Sequence, residues 1–382
     1  MSDRSDKAIR AARPAHDSIQ PLTDARPTGG GLIGQPAYIP ELDGLRAVAC
    51  VSVILFHSAP SSVFSGGFLG VDIFFVLSGY LITSILTAEF HRHGKIEVSK
   101  FYLQRALRLI PALLLFLATY LAVAPWVWPD HPHVSDALKA ALYVSDYTYP
   151  FTGSPFYIRH TWSLAVEEQF YLLWPLLLPL LLRRSRALPI MAGVWLILSL
   201  WRYSFDQNDW MAYYFRFDTH ATGLVAGAFL SLLQQRGLLR IGESLGLAAF
   251  VCFIGLVFSA HINNSGLVIT VAEVISFILI GSVVSNETSG RFAFLASPLM
   301  VWVGKLSYGL YLWHFPISYY FRQEHGLLLS ASGTFALSLT GALVSYWTVE
   351  WWGRTMKARA KARLGDNIRG ANTTPLAPSE SV

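Results

Sequence analysis

The sequence is poor in charge. Only 14% of its 382 residues are Asp, Glu, Lys or Arg, against 53% hydrophobic, whereas a soluble domain carries about 25% charged residues. That deficit excludes an ordinary water-soluble enzyme. Cysteine is scarcer still. Cys50 and Cys252 are the whole complement, and both fall inside apolar runs, which excludes a disulfide framework, a cysteine-rich zinc site and an iron–sulfur cluster. No metal is expected. There is no internal repeat and no fused soluble domain. No cleavable leader is apparent: about forty polar residues precede the first apolar run, so that run is expected to stay as a membrane anchor. The net charge of +5 implies no nucleic-acid partner, because the basic residues are scattered over short loops instead of gathered on one soluble face.

What is abundant is apolar sequence in runs near twenty residues, the length a helix needs to cross about 30 Å of hydrocarbon. Such runs occupy 45–63, 69–88, 109–127, 164–182, 188–204, 219–234, 244–261, 265–285, 303–321 and 332–349. The expected fold is all-α: a polytopic integral membrane bundle of about ten transmembrane helices. If the N-terminus lies inside, all of the 29 Lys and Arg except Lys139, Arg159, Arg202, Arg216 and Arg322 fall on the inner side, as the positive-inside rule requires. An even number of spans then puts both termini in the cytoplasm. Residues 1–40, rich in Pro, Gly, Arg and Asp, read as a disordered tail, 41–353 as the membrane domain, and 354–382 as a basic, then polar, tail. The longest outer segment, 128–163, is dominated by aromatic residues, Pro and Gly. It suits a carbohydrate platform and an interfacial aromatic belt equally.

Ionisable residues inside apolar runs are costly and mark functional sites. The stretch Glu41–His57 carries two, Arg46 and His57. Eleven residues at 100° each come about 20° past three full turns, so both point the same way, about 16 Å apart along the axis. Imidazole suits a general base or an acyl-carrying nucleophile near neutral pH. In the second run Asp72 precedes Ser78-Gly79, a notch that favours close helix packing, and a buried partner for Asp72 is expected in His57 or an arginine. Arg105 and Arg108, three apart on one helical face, suit either positive-inside anchoring or an anionic ligand such as phosphate. Glu167 and Glu168 enter an apolar helix with no lipid-facing rationale, and Ser163 with Glu167 makes a weak N-capping signal. Lesser candidates are Arg216, Asp218 and His220, Glu273 alone in its run, His314, and Glu350.

Six blocks in order resemble the membrane-bound acyltransferase family 3, whose members acylate carbohydrates at bacterial surfaces: P-E-L-D-G-L-R-A-V with His57 beyond it, G-G-F-L-G-V-D-I-F-F-V-L-S-G-Y, R-A-L-R-L-I-P, W-S-L-A-V-E-E-Q-F-Y-L, R-F-D-T-H-A-T-G and L-S-Y-G-L-Y-L-W-H-F-P. The resemblance covers about residues 38–355. It implies acyl transfer, usually of acetyl, from cytosolic acyl-CoA to a hydroxyl of a surface or secreted glycan or its lipid-linked precursor, in the bacterial inner membrane, with no tightly bound cofactor. It assigns catalysis to His57 and Arg46, with Asp72, Glu167 and Glu168, and CoA phosphates to Arg105, Arg108 and Arg46. Trp162, Ser163, Arg216, Asp218 and His314 become candidates for acceptor binding. The family commonly has a proline two residues after the glutamate ending its last span; here Glu350 is followed by Trp351 and Trp352. Some members carry an extracytoplasmic hydrolase-like domain, absent from this sequence, so the chain either delivers the acyl group itself or passes it to a separate extracytoplasmic acyltransferase. The alternative reading is a proton-coupled transporter of a small polar solute, with Glu273 or His57 as the proton site.

Overall fold

The computed structural model describes residues 38–58, 63–261, 265–286, 290–353 and 355–356. The tails expected at 1–40 and 354–382 lie almost wholly outside the described residues. Among the described residues there is no strand. Each of the ten apolar runs overlaps a helix, the first run over its described residues: α1 (Pro40–Ser58), α2 (Gly70–His93), α3 (Val98–Val127), then, after two short helices α4 (His133–Ala141) and α5 (Ser145–Thr152), α6 (Thr161–Leu182) and α7 (Ala187–Tyr203). The short α8 (Phe217–His220) leads into α9 (Thr222–Gln235), followed by α10 (Glu243–Ser259), α11 (Ser265–Ser285), α12 (Pro298–Glu324) and α13 (Leu327–Ser345). Five of these, counting short flanking turns, are long and apolar enough to cross a membrane.

The bundle is polar inside and apolar outside in the way lipid demands. Trp126 (88%), Leu114 (54%) and Leu172 (58%) present exposed apolar surface on α3 and α6, while Asp72, Arg202, His220 and Glu273 are fully buried. In water the first set would be an aggregation surface; against acyl chains it is the solvated face. The fold is thus a helical membrane bundle.

Helix α2 is the axis of the bundle, and its closest neighbour is α9. A Cβ on Gly79 would lie 2.0 Å from the Leu224 carbonyl oxygen, and one on Gly227 would lie 2.0 Å from that of Val76. The expected notch at Gly79 is therefore a backbone-to-backbone contact, met by Gly223 and Gly227 four residues apart on α9. Segment 128–163 makes many of its polar and aromatic contacts within itself. Asp136 accepts from His131 Nε2 (2.7 Å) and the Phe156 amide (2.7 Å). Trp128 stacks on Tyr157 with centroids 4.1 Å apart, and both rings stay half-buried.

Candidate active site

Proline shapes the site first. Pro316 lies inside α12, and without an N–H it leaves the carbonyl of Leu312, four residues earlier, without its helical donor. His160, at the start of α6, fills that vacancy: its Nε2–H donates to the Leu312 carbonyl at 3.0 Å. One residue group away on α12, His314 Nδ1 lies 2.6 Å from the Tyr311 carbonyl. A carbonyl only accepts, so Nδ1 carries the proton and, in the neutral ring, Nε2 is bare. That Nε2 lies 3.1 Å from His57 Nδ1. His57 therefore donates from Nδ1, which leaves its own Nε2 as a lone pair with no protein partner among the described residues. The tautomers are assigned from the network, each following from the carbonyl at its end.

His57, His160, Trp162, Tyr214, Phe315 and Arg159 line a cavity of about 530 Å³. A second, of about 100 Å³, holds Arg46, Arg105, Arg108 and Lys305 with Glu167 and Ser78. Val71 and Tyr311 belong to the walls of both. The Tyr311 hydroxyl is tied to Ser163 Oγ (2.6 Å) and donates to the His160 carbonyl (3.2 Å), so the partition between the cavities is itself hydrogen-bonded.

The three arginines singled out in sequence thus meet in one cavity, and Lys305, which sequence reasoning passed over, joins them. Arg105 is held by Glu168 at 3.1 Å and lies 3.5 Å from the centre of the Tyr171 ring; Glu167 accepts from Ser78 Oγ. The two glutamates have separate tasks: Glu168 fixes the guanidinium and Glu167 faces the cavity. Arg46 keeps a looser contact with Asp43 at 3.6 Å. Ser163 does not cap α6. The cap position is His160 without a side-chain bond, and the Ser163 hydroxyl turns to Tyr311 instead.

Other candidates lie elsewhere. Asp72 lines neither cavity; its buried partner is His220, with Nε2 3.1 Å from Oδ1, and not His57 or an arginine. Since His220 Nδ1 donates to the Tyr214 carbonyl, the pair shares one proton between Nε2 and Oδ1. Arg216 and Asp218 bind each other in a two-pronged pair, at 3.0 and 2.7 Å, outside the His57 cavity. Burial pushes the Asp218 carboxyl up, but hydrogen bonds from Arg216 and Trp201 outweigh it and hold the group below the usual carboxylate range. Glu273 is not alone: Arg202 binds it at 3.1 Å, and Thr222 and Trp195 also donate to it. Supplied with three donors and lining neither cavity, it makes a poor proton site for a transporter. The side chain of Glu350 lies outside the described residues.

A half-buried imidazole with an unpartnered nitrogen thus lies across a shared partition from a cluster of arginines. Residues 39–350 match the family described as an acyltransferase domain, and the chain belongs to it. The chain is 35% identical to the O-acetyltransferase OatA of Staphylococcus aureus, with 76% of this chain and 53% of the relative covered. It is 31% identical to the peptidoglycan O-acetyltransferase OatA of Listeria monocytogenes, with 73% and 49% covered. The chain thus spans about half the length of the curated relatives it matches. No solved structure matches it significantly.

Proposed function

We propose that this chain is a membrane O-acyltransferase of the bacterial cytoplasmic membrane. It moves an acyl group, acetyl in the first instance, from cytosolic acyl-CoA to a hydroxyl of a surface or secreted glycan or its lipid-linked precursor. One observation carries the reading: an arginine-lined cavity and a histidine-lined cavity share the walls Val71 and Tyr311. Paired guanidinium groups suit the phosphates of CoA, and Arg46 and His57 on one helix are about 16 Å apart, within reach of an extended pantetheine arm. The names of the relatives favour acetyl and an envelope glycan.

In this reading CoA phosphates sit among Arg46, Arg105, Arg108 and Lys305, and the thioester passes Tyr311 to reach His57. His57 Nε2 then acts in one of two ways. As a base it takes the proton of the acceptor hydroxyl while the oxygen attacks the thioester carbon; the C–S bond breaks and the CoA thiolate is protonated. As a carrier Nε2 attacks the thioester carbon, the C–S bond breaks, and the CoA thiolate takes up the proton that the acyl-imidazolium loses from Nδ1. The acceptor oxygen then attacks the acyl carbon, the C–N bond breaks, and the hydroxyl proton returns to the imidazole. Both need Nε2 bare and Nδ1 protonated.

The test uses membranes holding the full chain, labelled acetyl-CoA and glycan acceptor. His57→Ala should abolish incorporation at unchanged protein level. Retained transfer would sink the assignment. Transfer by the purified chain in liposomes would make a separate extracytoplasmic acyltransferase unnecessary.

A further inference from the structure

The His57 cavity contains two guanidinium groups that no step above uses. Arg159, half-buried in the segment before α6, and Arg322, exposed near the end of α12, both line it, with Gln323 beside them. Both address the same ring, their guanidinium carbons 6.0 and 4.6 Å from the centre of Tyr319. Arg159 is further enclosed by Phe315 at 4.6 Å and Phe156 at 5.2 Å. Aromatic faces favour a cation by about 0.5–2 kcal/mol, less than a partly buried charge loses in hydration.

Among the described residues neither has an acidic partner. The other outer arginines contrast with them: Arg202 is bound to Glu273 and Arg216 to Asp218. Two like charges lining one cavity, with no carboxylate beside them among the described residues, form half of an ion pair. Much of the remaining cavity wall is aromatic: Trp210, Trp162, Tyr214 and Phe215 suit the apolar face of a sugar ring and offer no counter-charge. His160 adds a bare Nδ1, buried and without a partner, which accepts from a hydroxyl.

We infer that the acceptor bound beside His57 is an anionic glycan, and that Arg159 and Arg322 hold its charged group, a sugar carboxylate or a phosphate. The inference rests on the acyltransferase reading. It deepens that reading by making the outer cavity selective for charge: a neutral glycan leaves both guanidinium groups unpaired.

The experiment uses the full chain in liposomes, labelled acetyl-CoA, and envelope glycans from cells lacking the protein as acceptor. Labelled product is separated by anion exchange before and after mild acid. The label should run with anionic glycan. Loss of the charge in mild acid identifies a glycosyl phosphate, loss only in cold aqueous hydrofluoric acid a phosphate ester, and survival of both a carboxylate. Arg159→Gln and Arg322→Gln should each raise the acceptor concentration for half-maximal transfer by about tenfold to a hundredfold, the worth of a charged hydrogen bond. The acetyl-CoA requirement should stay fixed. Arg159→Lys and Arg322→Lys, which keep the charge, should recover most of the loss, separating a binding role from a folding defect. Label on neutral glycan, or Gln variants saturating like the parent, overturns the inference and leaves the acyltransferase reading intact. No incorporation by the parent protein overturns both.

Discussion

His314 is the residue whose replacement tests the reasoning most sharply, because its role depends on one proton's position. Its Nδ1–H is fixed by the Tyr311 carbonyl at 2.6 Å, and its Nε2 accepts from His57 Nδ1 at 3.1 Å. Truncating it to alanine leaves His57 free to rotate and to carry its proton on Nε2, the nitrogen that must be bare. The lost hydrogen bond is worth about 1 kcal/mol, and reordering the released ring costs about 1 kcal/mol more. Together these correspond to about a thirtyfold fall in kcat. A charged orienting partner is worth far more, about 10⁴ in the serine-protease triad; His314 is a neutral partner, so the smaller figure applies.

Gln at 314 keeps an oxygen that can accept from His57 Nδ1 and should recover part of the loss. The assay is initial-rate transfer of labelled acetyl over a range of acetyl-CoA concentrations. His314→Ala should lower kcat and leave the acetyl-CoA KM in place, since the arginine cavity is untouched. Parental kcat in His314→Ala, or a Gln variant no better than Ala, would refute the tautomer argument.

Arg105→Ala should act on the other parameter: it removes one charged phosphate ligand and should raise the acetyl-CoA KM about tenfold or more, with the acceptor requirement unchanged. Gly227→Ala places a methyl 2.0 Å from the Val76 carbonyl oxygen and 2.7 Å from the Tyr80 nitrogen, and should sharply lower the yield of folded protein. Gly193→Ala, with nothing near its Cβ, should be neutral or raise the thermal midpoint, as alanine is favoured over glycine in a helix by about 1 kcal/mol. Asp146, in the short α5, has its carboxyl pushed up to about 6, chiefly by burial, with a hydrogen bond from Gln169 opposing. A carboxyl held above its unfolded value near 3.9 favours folding at low pH, and that contribution is lost as pH rises from about 4 through 6. Asp146→Asn should therefore raise the thermal midpoint at pH 8 and lose that advantage at pH 4.

Much of the bundle and of the inner cavity was legible because charge in an apolar run is conspicuous in one dimension. Arg46 and His57 share a helical face by arithmetic alone, and the arginines of R-A-L-R stand out at the edge of a hydrophobic run. Partnership was not legible. Asp72 and His220 are 148 positions apart, and Glu273 seemed isolated because Arg202 belongs to another run and was counted as an outer loop cation. Arg159 and Arg322 passed as ordinary loop cations. Only the fold shows that they turn toward one cavity. In the aromatic segment at 128–163 Trp128 stacks on Tyr157, a pairing that composition does not report.

One signal for the histidine site was present and can be stated physically. A proline in a membrane helix frees a carbonyl four residues back, and in hydrocarbon that carbonyl must find another donor. Pro316 thus called for a donor at Leu312. The donor is His160, delivered by α6. Fixing His160 there pins the start of α6 against α12 and brings the His160 ring within 5.3 Å of the His314 ring, centre to centre. His314, two residues past Leu312, uses the carbonyl of Tyr311 to fix its own proton and thereby that of His57. One missing amide hydrogen thus accounts for the His160–Leu312 contact, while the Tyr311 carbonyl, through His314, leaves His57 Nε2 free. A membrane protein cannot leave that vacancy to water, so the constraint that holds α6 on α12 also sets His160 beside the His57–His314 pair.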